Sequence, residues 1–253
     1  MRSLFQRRSR KSPTVGPLPV VFPAVQGAEI AAAVAGQRIA GDFYDSLRVS
    51  PERILFGLLD LAGRRQQNAG ILAAAQRTFR SRGAELFSQP DINESNAMTE
   101  LSLEINRKLI EVSEGVHSCP AFIACYHEKF GTVCYTNAGH TPALLRDRKG
   151  IIELPSTGLP LGLFSHATAD APTVGMEKGS GLLVVSRGVV ECGSDSHDPA
   201  NEFGLERVKK ALRHASLSHA QDLCRSILGK ASEFSAGASF CDDQTVLALT
   251  RTA

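Results

Sequence analysis

Apolar positions early in the chain fall into two runs with a single interruption between them. Leu47 and Val49 belong to the first, and Ile54, Leu55, Phe56, Leu58 and Leu59 to the second. Pro51-Glu52-Arg53 between them has the composition of a hairpin turn. Asp42 opens the first run and Asp60 closes the second, so an antiparallel hairpin brings both carboxylates to one edge of a sheet. A carboxylate ending an apolar run faces desolvation unless something cationic meets it. A plainer reading fits the same pattern, with Asp42 in a turn and Asp60 capping the next helix, since Asp is common at both places.

Around this hairpin the periodicity lays out the remaining elements. Residues 12–27 are rich in Pro and Gly and read as an extended lead-in, followed by a strand over Glu29–Val34. From Arg64 to Phe87 the residues Ile71, Leu72, Ala75, Phe79, Leu86 and Phe87 recur at near-helical spacing, with Arg77, Arg80 and Arg82 largely off that stripe. A second helix runs to about Val112, with Met98, Leu101, Ile105 and Leu109 on one face and Asn93 or Asp91 as its cap. The period then becomes that of strands over Ala121–His127, Thr132–Asn137, Ala143–Arg146, Ile151–Leu154 and Leu182–Ser186. Helices are expected over Glu202–Ala215 and Ser218–Phe234, and a closing strand over Gln244–Thr250. Strands and helices come in blocks instead of alternating, which predicts an α+β sandwich of antiparallel sheets with helices packed outside. There is no internal repeat, and a single domain is expected over 16–253 after a basic leader at 1–15.

Composition narrows the class. A chain of 253 residues, 43% of them hydrophobic, is ample for a sizeable core. It has no apolar run long enough to span a bilayer and no signal-peptide core, so a cytoplasmic protein is expected. Cys119, Cys125, Cys134, Cys192, Cys224 and Cys241 are scattered without a Cys-x-x-Cys pair and read as reduced core thiols. The formal net charge is +2, but Arg2, Arg7, Arg8, Arg10 and Lys11 crowd the first residues. That tail reads as a disordered leader, the other option being contact with anionic lipid or nucleic acid. The body has no basic stripe with interleaved aromatics, which argues against nucleic-acid binding.

The closing strand opens on Cys241-Asp242-Asp243-Gln244-Thr245, a second acidic pair before an apolar run. Taken in order, Gly41-Asp42-Phe43-Tyr44-Asp45, Asp60, Asn137-Ala138-Gly139-His140-Thr141-Pro142, Gly158-Leu159-Pro160-Leu161-Gly162, Phe203-Gly204 and Asp242-Asp243-Gln244-Thr245 resemble the PPM (PP2C-like) metal-dependent protein phosphatases. The similarity is to their bacterial SpoIIE-type branch and covers about residues 17–251. It implies two antiparallel β-sheets flanked by helices in α-β-β-α layers, with Mg²⁺ or Mn²⁺ ions at one edge. Oxygen ligands suit such hard cations, which activate a water for in-line attack on phosphorus. Carried over, the catalytic and metal-binding carboxylates are Asp42, Asp60 and Asp242. Asp60 is shared between the ions, the Leu61 carbonyl joins Asp42 on one, and Asp242 serves the other. Asn137-Ala138-Gly139-His140 reads as a structural turn in preference to a proton donor.

Two departures from the family pattern stand out. Where the resemblance expects a metal-binding Asp in a Thr-Asp-Gly motif, this chain has Ser186-Arg187-Gly188 after the apolar run Gly181–Val185. The turn after Asp60 reads Leu61-Ala62-Gly63-Arg64-Arg65, with two cations in place of a compact glycine turn. Like charges about 4 Å apart repel by roughly 4 kcal/mol at an effective dielectric near 20. Two divalent ions and a guanidinium therefore do not fit together, and at most one ion is expected. Arg187 then either replaces the second ion beside Asp60 and Asp242 or swings out to solvent.

Two functions of different class follow from the resemblance. One is a weakly active phosphoserine/phosphothreonine protein phosphatase working on a small regulatory phosphoprotein, such as an anti-sigma-factor antagonist in partner switching. The other is a pseudophosphatase that binds a partner without hydrolysis. Regulation is expected from outside the chain or by self-association as a homodimer.

Overall fold

In the computed structural model the described residues are 17–36, 41–61, 63, 65–113, 117–165, 169–193, 201–235 and 243–252, with backbone alone at 65–67. The leader at 1–15, Arg64, Cys241 and Asp242 lie outside them, as does the side chain of Arg65.

The expected hairpin forms from β2 (Asp42–Ser50) and β3 (Arg53–Asp60), joined by the Pro51-Glu52 turn. Every residue of β3 is buried, because each of its faces meets a different layer. Leu55 and Leu59 point toward the helices α1 (Arg65–Phe87) and α2 (Glu94–Val112). Ile54, Phe56 and Leu58 point the opposite way, into the space between the two sheets. This period-two split is what a strand covered on both sides requires. The hairpin continues through β4 (Ala121–His127) and β5 (Thr132–Ala138) to β8 (Thr173–Gly175), in the order β2-β3-β4-β5-β8.

The second sheet has the order β1-β10-β9-β6-β7, built from β1 (Ala28–Ala35), β6 (Ala143–Arg146), β7 (Ile151–Leu154), β9 (Gly181–Val185) and β10 (Gln244–Arg251). All pairings between named strands in both sheets are antiparallel. Its outer face is covered by α4 (Gly204–His214) and α5 (Ala220–Ser235), which bury Val208, Leu212, Leu223 and Ile227 against Leu183, Val185 and Val246. The result is the predicted α-β-β-α sandwich. No helix among the described residues is long and apolar enough to cross a membrane.

Two buried ion pairs fasten α1 and α2 to the hairpin. Arg80 of α1 makes a bidentate pair with Asp45 of β2, at 2.7 and 2.9 Å, and Asp45 is buried. Arg80, off the apolar stripe of α1, therefore turns toward the hairpin. The hydrogen bond to Asp45 raises the Arg80 pKa above its ordinary value. Arg53 of β3 reaches Glu94 at 2.6 Å and the carbonyls of Gln89 and Pro90, holding the turn between the helices. As expected, the Asn93 side chain caps α2 by accepting from the Asn96 N–H at 3.0 Å.

Two elements differ from the sequence expectation. The edge strand β8 is only three residues long and mostly exposed, so it leaves almost no periodic signal. Ser186 ends outside the strand and becomes the N-cap of a short helix α3 (Arg187–Val190).

Candidate functional site

Asp42 and Asp60 are direct partners in the β2–β3 ladder. Directly opposed residues of an antiparallel pair project to the same face, so the hairpin presents both acids together, and both are buried. Gly41 and Leu61 continue the approach one residue beyond. A Cβ built on Gly41 would meet the Leu61 carbonyl oxygen at 1.8 Å, so only glycine allows that carbonyl to lie beside the start of β2. The Leu61 N–H donates to the Gly41 carbonyl at 3.4 Å, and the Asp60 N–H donates to the Pro120 carbonyl at 2.8 Å.

Arg187 arrives from the other sheet. Where β9 ends, the Ser186 N–H donates to the Thr245 carbonyl at 2.9 Å, and the Thr245 N–H donates back to Ser186 Oγ at 3.0 Å. Ser186 Oγ also donates to the Asp243 carbonyl at 3.4 Å. These bonds lock the start of α3 to the start of β10. The Arg187 side chain then lies between two acids, with Nε 3.8 Å from Asp60 Oδ2 and 3.8 Å from Glu191 Oε2. It is 52% exposed, so it stays near Asp60 while remaining open to solvent. A pair with that exposure is worth on the order of 1 kcal/mol or less.

The structure thus brings together Asp42, Asp60, Leu61 and Arg187. Asp242 lies outside the described residues, but its neighbour Asp243 is buried and lines a pocket of about 360 Å³ with Asp42, Phe43, Tyr44 and Thr245. Residues 17–20 form another wall of this pocket. Leu18 is held there by Gln76 of α1, whose amide accepts from its N–H at 2.6 Å and donates to its carbonyl at 3.0 Å. This wall was not visible to pattern reading, since it depends on contacts between distant segments.

Asn137-Ala138-Gly139-His140, expected as a turn, instead ends a strand: Asn137 and Ala138 are the last residues of β5, and the chain leaves the sheet at Gly139-His140. Asn137 Oδ1 accepts from the His140 N–H at 2.8 Å, and the Asn137 amide donates to the Leu154 carbonyl at 3.2 Å. His140 Nδ1 lies 3.0 Å from the Thr141 carbonyl, and burial pushes the imidazole pKa down to about 4. The Gly158–Gly162 motif is anchored by Asn106 of α2, whose Oδ1 accepts from the Gly162 N–H at 2.8 Å. Cys119 is fully buried, and burial, reinforced by the charge of Asp60, keeps its thiol protonated.

Two carboxylates and a backbone carbonyl form an all-oxygen donor set that suits one hard divalent cation. Among the described residues no cluster of three or more His, Cys, Asp or Glu side chains has metal-binding spacing. Beside the two acids the candidate third oxygen is the Leu61 carbonyl, which lies where a Cβ on Gly41 would stand. On the side of Asp60 that faces Arg187 the fit is poor, because a cationic group already stands there.

Comparison with known proteins places this geometry in context. The model of Stage II sporulation protein E (SpoIIE) matches residues 50–252. The phosphoserine phosphatase RsbU of Bacillus subtilis is 25% identical over 228 residues, covering 87% of this chain and 62% of its own. The phosphoserine phosphatase RsbP of the same organism is 24% identical over 158 residues, 62% of this chain and 38% of its own. The chain thus spans less than two thirds of the length of either relative. The PP2C phosphatase domain of SpoIIE from Bacillus subtilis, solved with a fragment of its regulatory domain, superposes with a TM-score of 0.71 at 12% identity, covering 89% of this chain and 64% of that one. With the family model matching most of its length, this chain belongs to the SpoIIE family.

Proposed function

We propose that this chain is a PPM-type protein phosphatase domain of a cytoplasmic signalling system, removing phosphate from phosphoserine or phosphothreonine on a small regulatory protein. The observation that carries this reading is the meeting of Asp42, Asp60 and the Leu61 carbonyl at one sheet edge, made possible by Gly41. Asp42, Asp60 and the Leu61 carbonyl would hold one Mn²⁺ or Mg²⁺ ion, with Asp242, the sequence neighbour of Asp243, as a further ligand. When bound, such an ion supplies Lewis acidity, acidifying water and neutralising charge on the phosphoryl oxygens. Arg187 donates hydrogen bonds to a phosphoryl oxygen, since a guanidinium is permanently charged and matches phosphate geometry. A guanidinium does not acidify water as a metal does, so turnover is weak. The partner this reading favours is a phosphorylated anti-sigma-factor antagonist, in keeping with the resemblance to RsbU and RsbP.

One observation favours the pseudophosphatase alternative. Arg187 stands 3.8 Å from Asp60, where it competes with a second cation and can grip a phosphate without cleaving it. The two readings separate in one experiment: phosphate release from a phosphoserine protein with Mn²⁺, in wild type and Asp60→Ala. Slow release that disappears in the variant supports the phosphatase. Release absent from both, with retained binding of the phosphoprotein, supports the binding module.

A further inference from the structure

A second concavity lies in the outer helical layer and shares no residue with the carboxylate site. α4 and α5 leave a groove of about 590 Å³ between them. On α4 its lip carries Arg207, Lys210 and His214, spaced three and then four residues apart. That spacing places them along one stripe of about 10 Å. Ala211 and Phe234 supply apolar lining, and the Phe234 ring packs against buried Phe203 at 5.7 Å.

The charges in this groove are unequally compensated. On the α5 lip Lys230 pairs with Glu233 at 2.7 Å, so those two cancel. On the α4 lip Arg207 is held in place without an acid. Its guanidinium sits 4.6 Å from the Phe234 ring centroid and donates to the carbonyls of Glu202 and Phe203 at 2.8 and 3.2 Å. Among the described residues no carboxylate pairs with Arg207 or Lys210. By contrast Lys209, pointing elsewhere, is matched by both Glu153 and Glu206.

We propose that the α4–α5 groove docks a short acidic amphipathic helix from a separate protein. The apolar stripe of that helix lies on Ala211 and Phe234, and its carboxylates meet Arg207 and Lys210. Two helical lips over an apolar floor form the geometry that receives a third helix. The uncompensated cations select acidic residues beside its apolar anchors. A nucleic acid fits poorly, because its phosphates would meet Glu233 on the opposite lip and a neutral pair in place of a basic wall. This inference stands independently of the phosphatase reading.

The test uses a fluorescein-labelled helical peptide with Leu at positions i, i+3 and i+7 flanked by Glu, together with a second peptide in which Lys replaces each Glu. Fluorescence anisotropy should show the Glu peptide binding wild type at least tenfold more tightly than the Lys peptide. Lys210→Glu, a change at an exposed position, should reverse that preference. Ala211→Trp, which fills the floor, should abolish binding of both. Equal binding of the two peptides, no binding by wild type, or binding indifferent to Ala211→Trp overturns the proposal. Two further outcomes reassign the groove and overturn it as well. One is concentration-dependent self-association lost in Ala211→Trp, which makes a second copy of this chain the occupant. The other is capture of phosphatidylserine vesicles by wild type but not by Lys210→Glu, which makes a membrane the occupant.

Discussion

Arg187 Nε stands 3.8 Å from Asp60 Oδ2, joining the end of β3 in one sheet to the helix that follows β9 in the other. This puts a fixed positive charge beside the buried carboxylate that closes β3. Its arginine is half-exposed although Asp60 is buried, so the pair contributes little to stability; its weight falls on what else can bind there.

The cradle for the Leu61 carbonyl leads to the first expectation. Gly41→Ala forces a Cβ into a space where the carbonyl oxygen lies 1.8 Å away. The carbonyl has to move, at a cost of roughly 1–3 kcal/mol in stability. Mn²⁺ affinity should fall at least tenfold while the far-ultraviolet circular dichroism spectrum stays that of the folded protein. Unchanged affinity would remove Leu61 from the donor set.

The pair of Asp45 and Arg80 leads to the second. Replacing Arg80 with Met leaves the buried Asp45 carboxylate without its bidentate partner, at an expected cost of about 3 kcal/mol. Asp45→Asn should cost less, because the stranded Arg80 guanidinium lies partly in solvent. Urea unfolding curves of the two variants check the order as well as the size of these losses.

A pH dependence follows from His140. Its folded pKa is about 4, against an ordinary 6.5, because burial disfavours the charged ring. The unfolded chain therefore binds the proton first as pH falls. The contribution is present above about pH 6.5 and is lost as the pH drops toward 4. Between pH 7 and pH 5 this amounts to about 2 kcal/mol. His140→Gln should show a pH 7 to pH 5 stability loss smaller than wild type by that amount, read from urea midpoints at each pH. An equal loss in both proteins would show that His140 does not carry it.

Much of this fold was legible in the chain because its signals are local. The β2–β3 hairpin shows itself through two apolar runs about one turn, which brings Asp42 and Asp60 to one edge; that they are direct partners, and not a turn residue and a helix cap, needed the register. The helices α1 and α2 followed from their stripes, and Asn93 from its capping chemistry. What could not be read depends on long-range contact. Arg80 lies off the apolar stripe of α1, and its inward turn depends on Asp45, 35 positions away. The helix α3 has only four residues, and its N-cap Ser186 is the residue that the pattern assigns to the end of the strand. Glycine at 41 was visible, but its reason, a carbonyl twenty residues later, was not. The substitution at Arg187 was plain in the sequence, yet its stance between Asp60 and Glu191 needed the fold.

The most direct measurement is calorimetric titration with Mn²⁺ of wild type, Arg187→Asp and Asp60→Ala, at equal protein concentration. The expected result is one weak site at most in wild type, a second site gained in Arg187→Asp, and no binding in Asp60→Ala. Arg187→Asp should also hydrolyse an aryl phosphate faster than wild type in Mn²⁺. Two tight sites in wild type, with nothing added by Arg187→Asp, would contradict the claim that this guanidinium stands in for the second ion.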